Sequence, residues 1–317
     1  MTVTRRTVIR AGVAACTTAL INACGGERYT GPERAIRVAS GQVGGLYLEF
    51  GHLLAREITS LNPNLHSTSI RTAGSVENLL MINSGRADLA ISQADIALAA
   101  LTGRDPFISP MAIRCLGRVY EDYLQLVVLT TSPVGRIADL SGRRVSMGAN
   151  GSGTATISQR LLMCAGVDVV QAFQSLGDAV AALEHGQVDA LLWVGGVPTP
   201  VLADLDQRVG IRVLPVAEML PALRERYGTA YQLVRLPAGG YGQPGIATLG
   251  VANLLLCQET LPEDVAFAIT RTLVERATAL VPPQVRGTQF LDPHTLVGTM
   301  NIPMHPGARN AYRELHG

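Results

Sequence analysis

Arg34-Ala35-Ile36-Arg37-Val38-Ala39 reads as a short strand that runs straight into Ser40-Gly41-Gln42-Val43-Gly44-Gly45. Beyond the glycines, Leu46, Phe50, Leu53, Leu54 and Ile58 recur at helical spacing until Asn62-Pro63 stops them. The pattern predicts strand, glycine loop, helix. It returns at Arg143-Arg144-Val145-Ser146-Met147, followed by Gly148-Ala149-Asn150-Gly151-Ser152-Gly153-Thr154 and then by Ile157, Leu161, Leu162 and Ala165 on one helix face before Gly166. Each copy continues alike. A helix from Ser75 to Ser84 ends at Gly85-Arg86-Ala87-Asp88 before the strand Leu89 to Ser92, and Leu183-Glu184-His185-Gly186-Gln187-Val188-Asp189 leads into Ala190 to Val194. The loop glycine and the aspartate are 47 residues apart in the first copy and 41 in the second, which predicts two similar α/β lobes. Alternating helices and apolar strands predict mostly parallel sheets covered on both faces.

Two apolar runs, Leu124 to Thr130 and Ala247 to Cys257, the latter after the loop Pro237 to Gly245, are placed to cross between the lobes as hinge strands. The helix from Pro262 to Leu280 and the tail then return to the first lobe. Lobe 1 is accordingly residues 34–127 with 247–317, and lobe 2 is residues 128–246.

The 317 residues are 47% hydrophobic and 16% charged, with 26 basic against 25 acidic side chains, enough apolar chain for a sizeable core and no footprint for nucleic acid. All the basic residues are arginine. A lysine Schiff base, a lysine nucleophile and a GK[ST] phosphate loop are therefore excluded. Arg5, Arg6 and Arg10 precede an uncharged stretch, Ala11 to Ile21, that is too short to span a bilayer. Residues 1–23 read as a signal peptide, with Thr4-Arg5-Arg6-Thr7-Val8-Ile9 similar to a twin-arginine signal and Ile21-Asn22-Ala23-Cys24 similar to a bacterial lipobox. Cys24 then becomes a lipidated N-terminus, and residues 24–33 a flexible linker that tethers the protein outside the cytoplasm. Without the leader, 23 arginines face 25 acidic residues, a formal charge of −2 that implies no charge-driven partner. Cys115, Cys164 and Cys257 are too few and odd in number for a disulfide framework, with one bridge among them open in an oxidising compartment, and neither they nor the scattered histidines have metal spacing, so no metal and no cofactor is expected.

In open α/β sheets the ligand crevice lies at the carboxyl ends of the strands, where both glycine loops fall. Helix N-termini there offer free amides and a positive dipole end, which suit a carboxylate or phosphate. From the first loop Gly45 and Tyr47 are the candidates, and from the second Ser152, Gly153 and Thr154. Ala73-Gly74-Ser75-Val76-Glu77-Asn78 is a further strand-to-helix junction that adds Ser75 and Asn78. Gln93 and Asp95 follow the strand Leu89 to Ser92, Asp95 serving equally as a helix cap, and Gly195-Gly196-Val197-Pro198 is the matching place in lobe 2. The lone Trp193 reads as core rather than as a cleft wall. No histidine is placed as a general base, and Gly151-Ser152-Gly153 lacks the GxSxG frame, so a serine hydrolase is a minor alternative.

Ala39 to Tyr47, Gly74 to Asn78, Ser84 to Asp95, Gly151 to Thr154, Gly186 to Ala190, Gly195 to Pro198 and Met304-His305-Pro306-Gly307 together resemble the TAXI family of TRAP transporter solute-binding proteins, in order along nearly all of the mature chain. The resemblance implies a two-lobed periplasmic binding protein, class II-like, that closes as a Venus flytrap without catalysis. It implies an extracytoplasmic receptor for a small organic acid, such as a dicarboxylate or a glutamate-like solute, working with membrane-embedded transporter subunits. The family's ligand loops fall on Gly45 and Tyr47, Ser75 and Asn78, Gln93 and Asp95, and Ser152 to Thr154, while Leu46 and Trp193 depart from its pattern. Arg71, Arg114, Arg118 and Arg160 are the candidate carboxylate clamps, with surface solvation the competing reading of each. An ABC-importer receptor and a ligand-sensing lipoprotein use the same architecture with other partners.

Overall fold

In the computed structural model the strand β1 (Arg34–Ala39) pairs in parallel with β2 (Leu65–Ile70) and β3 (Leu89–Gln93). The structure describes residues 28–237, 241, 245–282, 291 and 293–316; the leader, Cys24 and part of the Pro237 to Gly245 loop lie outside them. Ile36 and Val38 bury one face of this sheet against Phe50, Leu54 and Ile58 of α1 (Leu46–Leu61). The opposite face, with Ala39 and Ala90, is covered by α2 (Ser75–Asn83) and α3 (Ala94–Thr102) through Leu79, Ile82, Ile96 and Ala97. With both faces covered, every residue of β3 is buried.

The second lobe repeats this plan. Strand β5 (Arg144–Ser146) pairs in parallel with β6 (Val170–Ala172) and β7 (Ala190–Gly195). Helix α4 (Gly153–Ala165) packs Ile157 and Leu161 on Val145 and Met147. On the other face α5 (Leu176–Glu184) and α6 (Pro200–Val209) cover Leu191 and Trp193.

Two long strands carry the chain between the lobes. They are β4 (Ile113–Leu129) and β10 (Ala247–Gln258), antiparallel to each other along their length. At one end β10 pairs with β3, and at the other it pairs with β9 (Tyr231–Arg235), while β4 pairs with β7 and β8 (Ile211–Leu214). The resulting order is β2-β1-β3-β10-β4-β7-β5-β6. The sheet is thus mixed: parallel at both flanks, as the alternation predicts, and antiparallel wherever a crossing strand takes part.

Strand β4 begins at Ile113, well before the apolar run at Leu124, because the charges that interrupt the pattern are paired inside the sheet. Arg118 donates to Glu121 at 2.6 Å, and both side chains are largely buried. The expected single helix 262–280 ends at Glu275 and gives way to a 3-10 turn, Ala277–Leu280; α7 (Leu220–Tyr227) precedes this region in lobe 2, and α8 (Glu263–Glu275) and the C-terminal α10 (Pro306–His316) pack on lobe 1, a short α9 (Pro293–Leu296) lying between them. The tail is stitched to β4 by Cys115 N–H donating to the Pro303 carbonyl and His305 N–H donating to the Cys115 carbonyl, each at 2.9 Å. Cys115, Cys164 and Cys257 are free thiols.

Candidate ligand site between the lobes

Three helices start at one place because three strands end there. The strand β1 delivers Gly41 to Gly45 to the head of α1, the segment after β2 delivers Gly74 to the head of α2, and the segment after β5 delivers Ser152 to the head of α4. Their first turns line one small cavity of about 30 Å³ between the lobes, with Gly45, Leu46 and Tyr47 from the first loop, Gly74 and Ser75 from the second, and Ser152, Gly153 and Thr154 from lobe 2. First-turn amides have no acceptor within their own helix; here Glu77 N–H donates to the Gly151 carbonyl and Ala155 N–H to Ser152 Oγ, while Leu46, Ser75 and Gly153 bring the positive ends of three dipoles to this space. Gly74 adopts φ +133, a conformation that L side chains rarely take, and this lets its backbone lie beside Ser152 of the other lobe.

Side chains complete the wall. Tyr47 OH lies 3.1 Å from Ser75 Oγ and donates to Asn253 Oδ1 on β10. Ser75 Oγ in turn accepts from Gln93 N–H at 3.2 Å. Ser152 Oγ caps α4 by accepting from Ala155 N–H at 3.0 Å, and Thr154 Oγ1 accepts from Val194 N–H at 3.3 Å. Trp193 is both core and wall: it is 7% exposed, donates through Nε1 to Thr199 Oγ1 at 3.1 Å, and lines the cavity. Gln42 joins the lobes, its amide donating to the Ala73 carbonyl at 3.1 Å and its oxygen accepting from Leu176 N–H at 3.1 Å.

Three of the candidates stand elsewhere. Asn78 is fully buried behind the loops, donating to the Ser40 and Ile91 carbonyls at 2.6 and 2.7 Å and accepting from Thr72 Oγ1 at 2.5 Å; its work is to tie α2 to β1 and β3. Asp95 does not cap α3 and stands off the inner cavity, on another recess between the lobes. Its Oδ2 accepts from Arg160 Nη1 and from Tyr231 OH, each at 2.8 Å, which also engages Arg160 away from the cavity. Gly196 lines an outer recess of about 180 Å³ that shares Gly45 and Leu46 with the inner cavity. Of the other candidate clamps, Arg114 pairs with Glu259 at 2.6 Å, Arg118 with Glu121, and Arg71 is exposed. Among the described residues no arginine or histidine lines the inner cavity.

Sequence reasoning missed Asp122, which lies on β4 at the cavity floor and is 1% exposed. Its Oδ2 accepts from Gln93 Nε2 at 3.4 Å, whereas Oδ1 makes no hydrogen bond. Two adjacent acids at Glu121-Asp122 inside an otherwise apolar stretch were the available signal. Burial pushes the Asp122 carboxyl up to about 7; the neighbouring amides of Asn253 and Gln93 lower it, and the neighbouring charge of Glu121 raises it. Tyr47 is pushed up by burial and by the Asp122 charge, and Tyr120 by burial and by Tyr47 and Asp122.

A pH dependence follows. The unfolded carboxyl titrates near 3.8 and the folded one near 7, so between those values the folded protein holds a proton that the unfolded chain has lost. This group therefore makes stability fall as pH rises through that window, by at most about 1.4 kcal/mol per pH unit, and then level off. Asp122→Asn removes that contribution and leaves the one from Glu121, whose carboxyl is also raised by burial and lowered by Arg118. Urea midpoints at pH 5 and pH 7.5 will separate less in the variant than in the parent; equal separations would show that Asp122 titrates as an ordinary carboxyl.

Residues 38–315 match the NMT1-like family. The chain belongs to that family. Among solved structures, a protein from Bordetella bronchiseptica RB50 aligns with 89% of this NMT1-like chain and 98% of its own at 17% identity, with a TM-score of 0.57. A structure described as a periplasmic transporter aligns over 90% and 93% at 16% identity, with a TM-score of 0.53. The periplasmic aliphatic sulphonate binding protein SsuA from Escherichia coli aligns over 90% and 84% at 18% identity, with a TM-score of 0.45. The first two likenesses concern the fold, which the NMT1-like chain shares with them. Among its described residues no helix is long and apolar enough to cross a membrane.

Proposed function

We infer that this chain is an extracytoplasmic receptor that closes two lobes on a small anionic organic solute and hands it to a membrane permease. The observation that carries the reading is the convergence of three helix N-termini, two from lobe 1 and one from lobe 2, on one cavity. A ligand held from both sides favours the form in which the lobes meet, which is the differential affinity that a closure mechanism needs. The TRAP-type TAXI transporter is the partner that the sequence motifs favour, with Cys24 as the lipid tether after removal of residues 1–23. An ABC importer is served by the same cleft. Catalysis is no part of the reading: among the described residues no histidine lines the cavity beside Ser75 or Ser152.

Because the only tryptophan is in the cavity wall, its emission reports occupancy. Titration with a panel of organic acids, amino acids and sulfonates will shift Trp193 emission for the true ligand, and small-angle scattering with that ligand will show a smaller radius of gyration. A ligand that shifts the emission without compacting the protein would reject closure; a panel of which no member shifts it would reject the organic-acid assignment.

A further inference from the structure

We propose that Asp122 takes up a proton from solvent when the cavity takes up an anion, so that the solute is held together with one proton and affinity falls as pH rises. This rests on the receptor reading above and adds what controls the same site. The cavity offers no full positive charge: among the described residues neither arginine nor histidine lines it, and the helix N-termini there carry only the partial charge of their dipoles. Its floor carries a carboxyl instead. Asp122 is 1% exposed and shares a space of about 30 Å³ with Tyr47, Ser75, Gln93 and the first turn of α4. In so small a space an anionic solute and an Asp122 carboxylate are two like charges with little room for water between them, and such a pair holds one proton.

The surroundings of Asp122 favour its neutral form. The titratable groups that face it are all acids: Glu121, Tyr120 and Tyr123 on its own strand and Tyr47 on α1, with the Asp95 charge beyond Tyr47. Arg118 and Arg160 are held by Glu121 and Asp95, at 2.6 and 2.8 Å. Strand β3 supplies Gln93, β10 supplies Asn253 and lobe 2 supplies Ser152 and Thr154, none of them charged. The floor also holds unpaired polar atoms of both kinds: Gln93 Oε1 and Asp122 Oδ1 are acceptors and Asn253 Nδ2 is a donor, all buried and without a hydrogen bond. A neutral carboxyl has one donor and keeps acceptor capacity, which suits this mixture, whereas a carboxylate offers acceptors alone. Burial already pushes this carboxyl up to about 7, and an adjacent anion raises it further. Below that range the proton is in place before the solute arrives; above it, each pH unit costs about tenfold in affinity.

The test is a Trp193 emission titration at pH 6 and at pH 8 with acetate, propionate and ethanesulfonate, whose own acid groups stay ionised at both. For the parent protein the dissociation constant will be about tenfold larger at pH 8. Asp122→Asn, which keeps the shape of the neutral acid, will bind equally at both, so that at pH 8 the variant will be the tighter binder by roughly tenfold. A folding defect lowers affinity and cannot produce that gain. Should the parent bind equally at both pH values, or the variant keep the dependence or bind more weakly than the parent at pH 8, the proton linkage is wrong while the receptor reading stands. Should no probe shift the emission at either pH, the anion-receptor reading falls and the linkage with it. Calorimetry on the parent protein at pH 7.5, in two buffers of different ionisation enthalpy, gives an answer that needs no variant: binding will take up most of one proton. Release of a proton, or none exchanged, overturns the proposal.

Discussion

Replacing Arg160 by methionine will lower ligand affinity more than about a hundredfold while leaving each lobe folded. Arg160 sits on α4 of lobe 2, and Asp95 sits on α3 of lobe 1. Their 2.8 Å ion pair is buried, the side chains being 7% and 0% exposed, and it is braced by Tyr231 OH and by Arg160 Nη2 donating to the Asp105 carbonyl at 3.1 Å. The Arg160 guanidinium also lies over the Tyr227 ring, 4.8 Å from its centroid. Removing one partner of a buried pair costs about 3–5 kcal/mol, because the other charge is stranded. Here the cost is borne only while the lobes meet, since parting them returns Asp95 to water. The penalty therefore appears in the closing equilibrium, and a shift of that size removes most of the closed population. Scattering on the unliganded variant will show a larger radius of gyration than the parent. The paired change Arg160→Met with Asp95→Leu strands no charge and will recover much of the affinity. Unchanged affinity in Arg160→Met would show that the pair does not contribute to closure.

Gly153→Ala is the second large effect, and it separates binding from folding. Gly153 is the first residue of α4, with no backbone conformation that excludes alanine, and alanine is the better helix former by about 1 kcal/mol. The thermal midpoint without ligand will hold or rise. The new methyl group, however, would run into the Gln93 carboxamide across the interface and come within 2.9 Å of Ser75 Oγ. Gln93 is 2% exposed, so it has little room to retreat except into the cavity. Overpacking of this kind costs about 1–3 kcal/mol, borne when the lobes meet, which corresponds to a roughly 5- to 150-fold loss of affinity in a Trp193 titration. Full affinity in a stable Gly153→Ala protein would mean that Gln93 and Gly153 part when ligand is bound.

The residues behind these expectations differ in how plainly the chain announced them. Gly45, Tyr47, Ser75, Ser152, Gly153 and Thr154 were readable because a glycine loop between a strand and a helix puts them at a strand's carboxyl end whatever the rest of the chain does. Asn78 is the fourth residue of α2 and Asp95 the second of α3, inside the helices rather than in the loops before them. There a rotation of one residue decides between cleft and core, and the packing of α2 on β1 and of α3 against lobe 2 turned both inward. Trp193 was legible as core, and it is buried; that its outer edge also meets Gly45 depends on how lobe 2 sits on lobe 1. Asp122 was hidden because a strand's hydrophobic pattern treats a charge as an end, and only the buried pair Arg118–Glu121 explains why β4 runs on through it.

The sequence by itself determined the repeated strand, glycine loop and helix, and with them the two-lobed α/β architecture and the placing of helix N-termini at the strand ends. These follow from local periodicity and backbone sterics, which act within a few residues of chain. Tertiary structure alone decided the mixed sheet, the Arg160–Asp95 pair between lobes and the acidic floor of the cavity. Each depends on groups far apart in the chain, and their free energies depend on being buried together, a condition that no stretch of sequence contains.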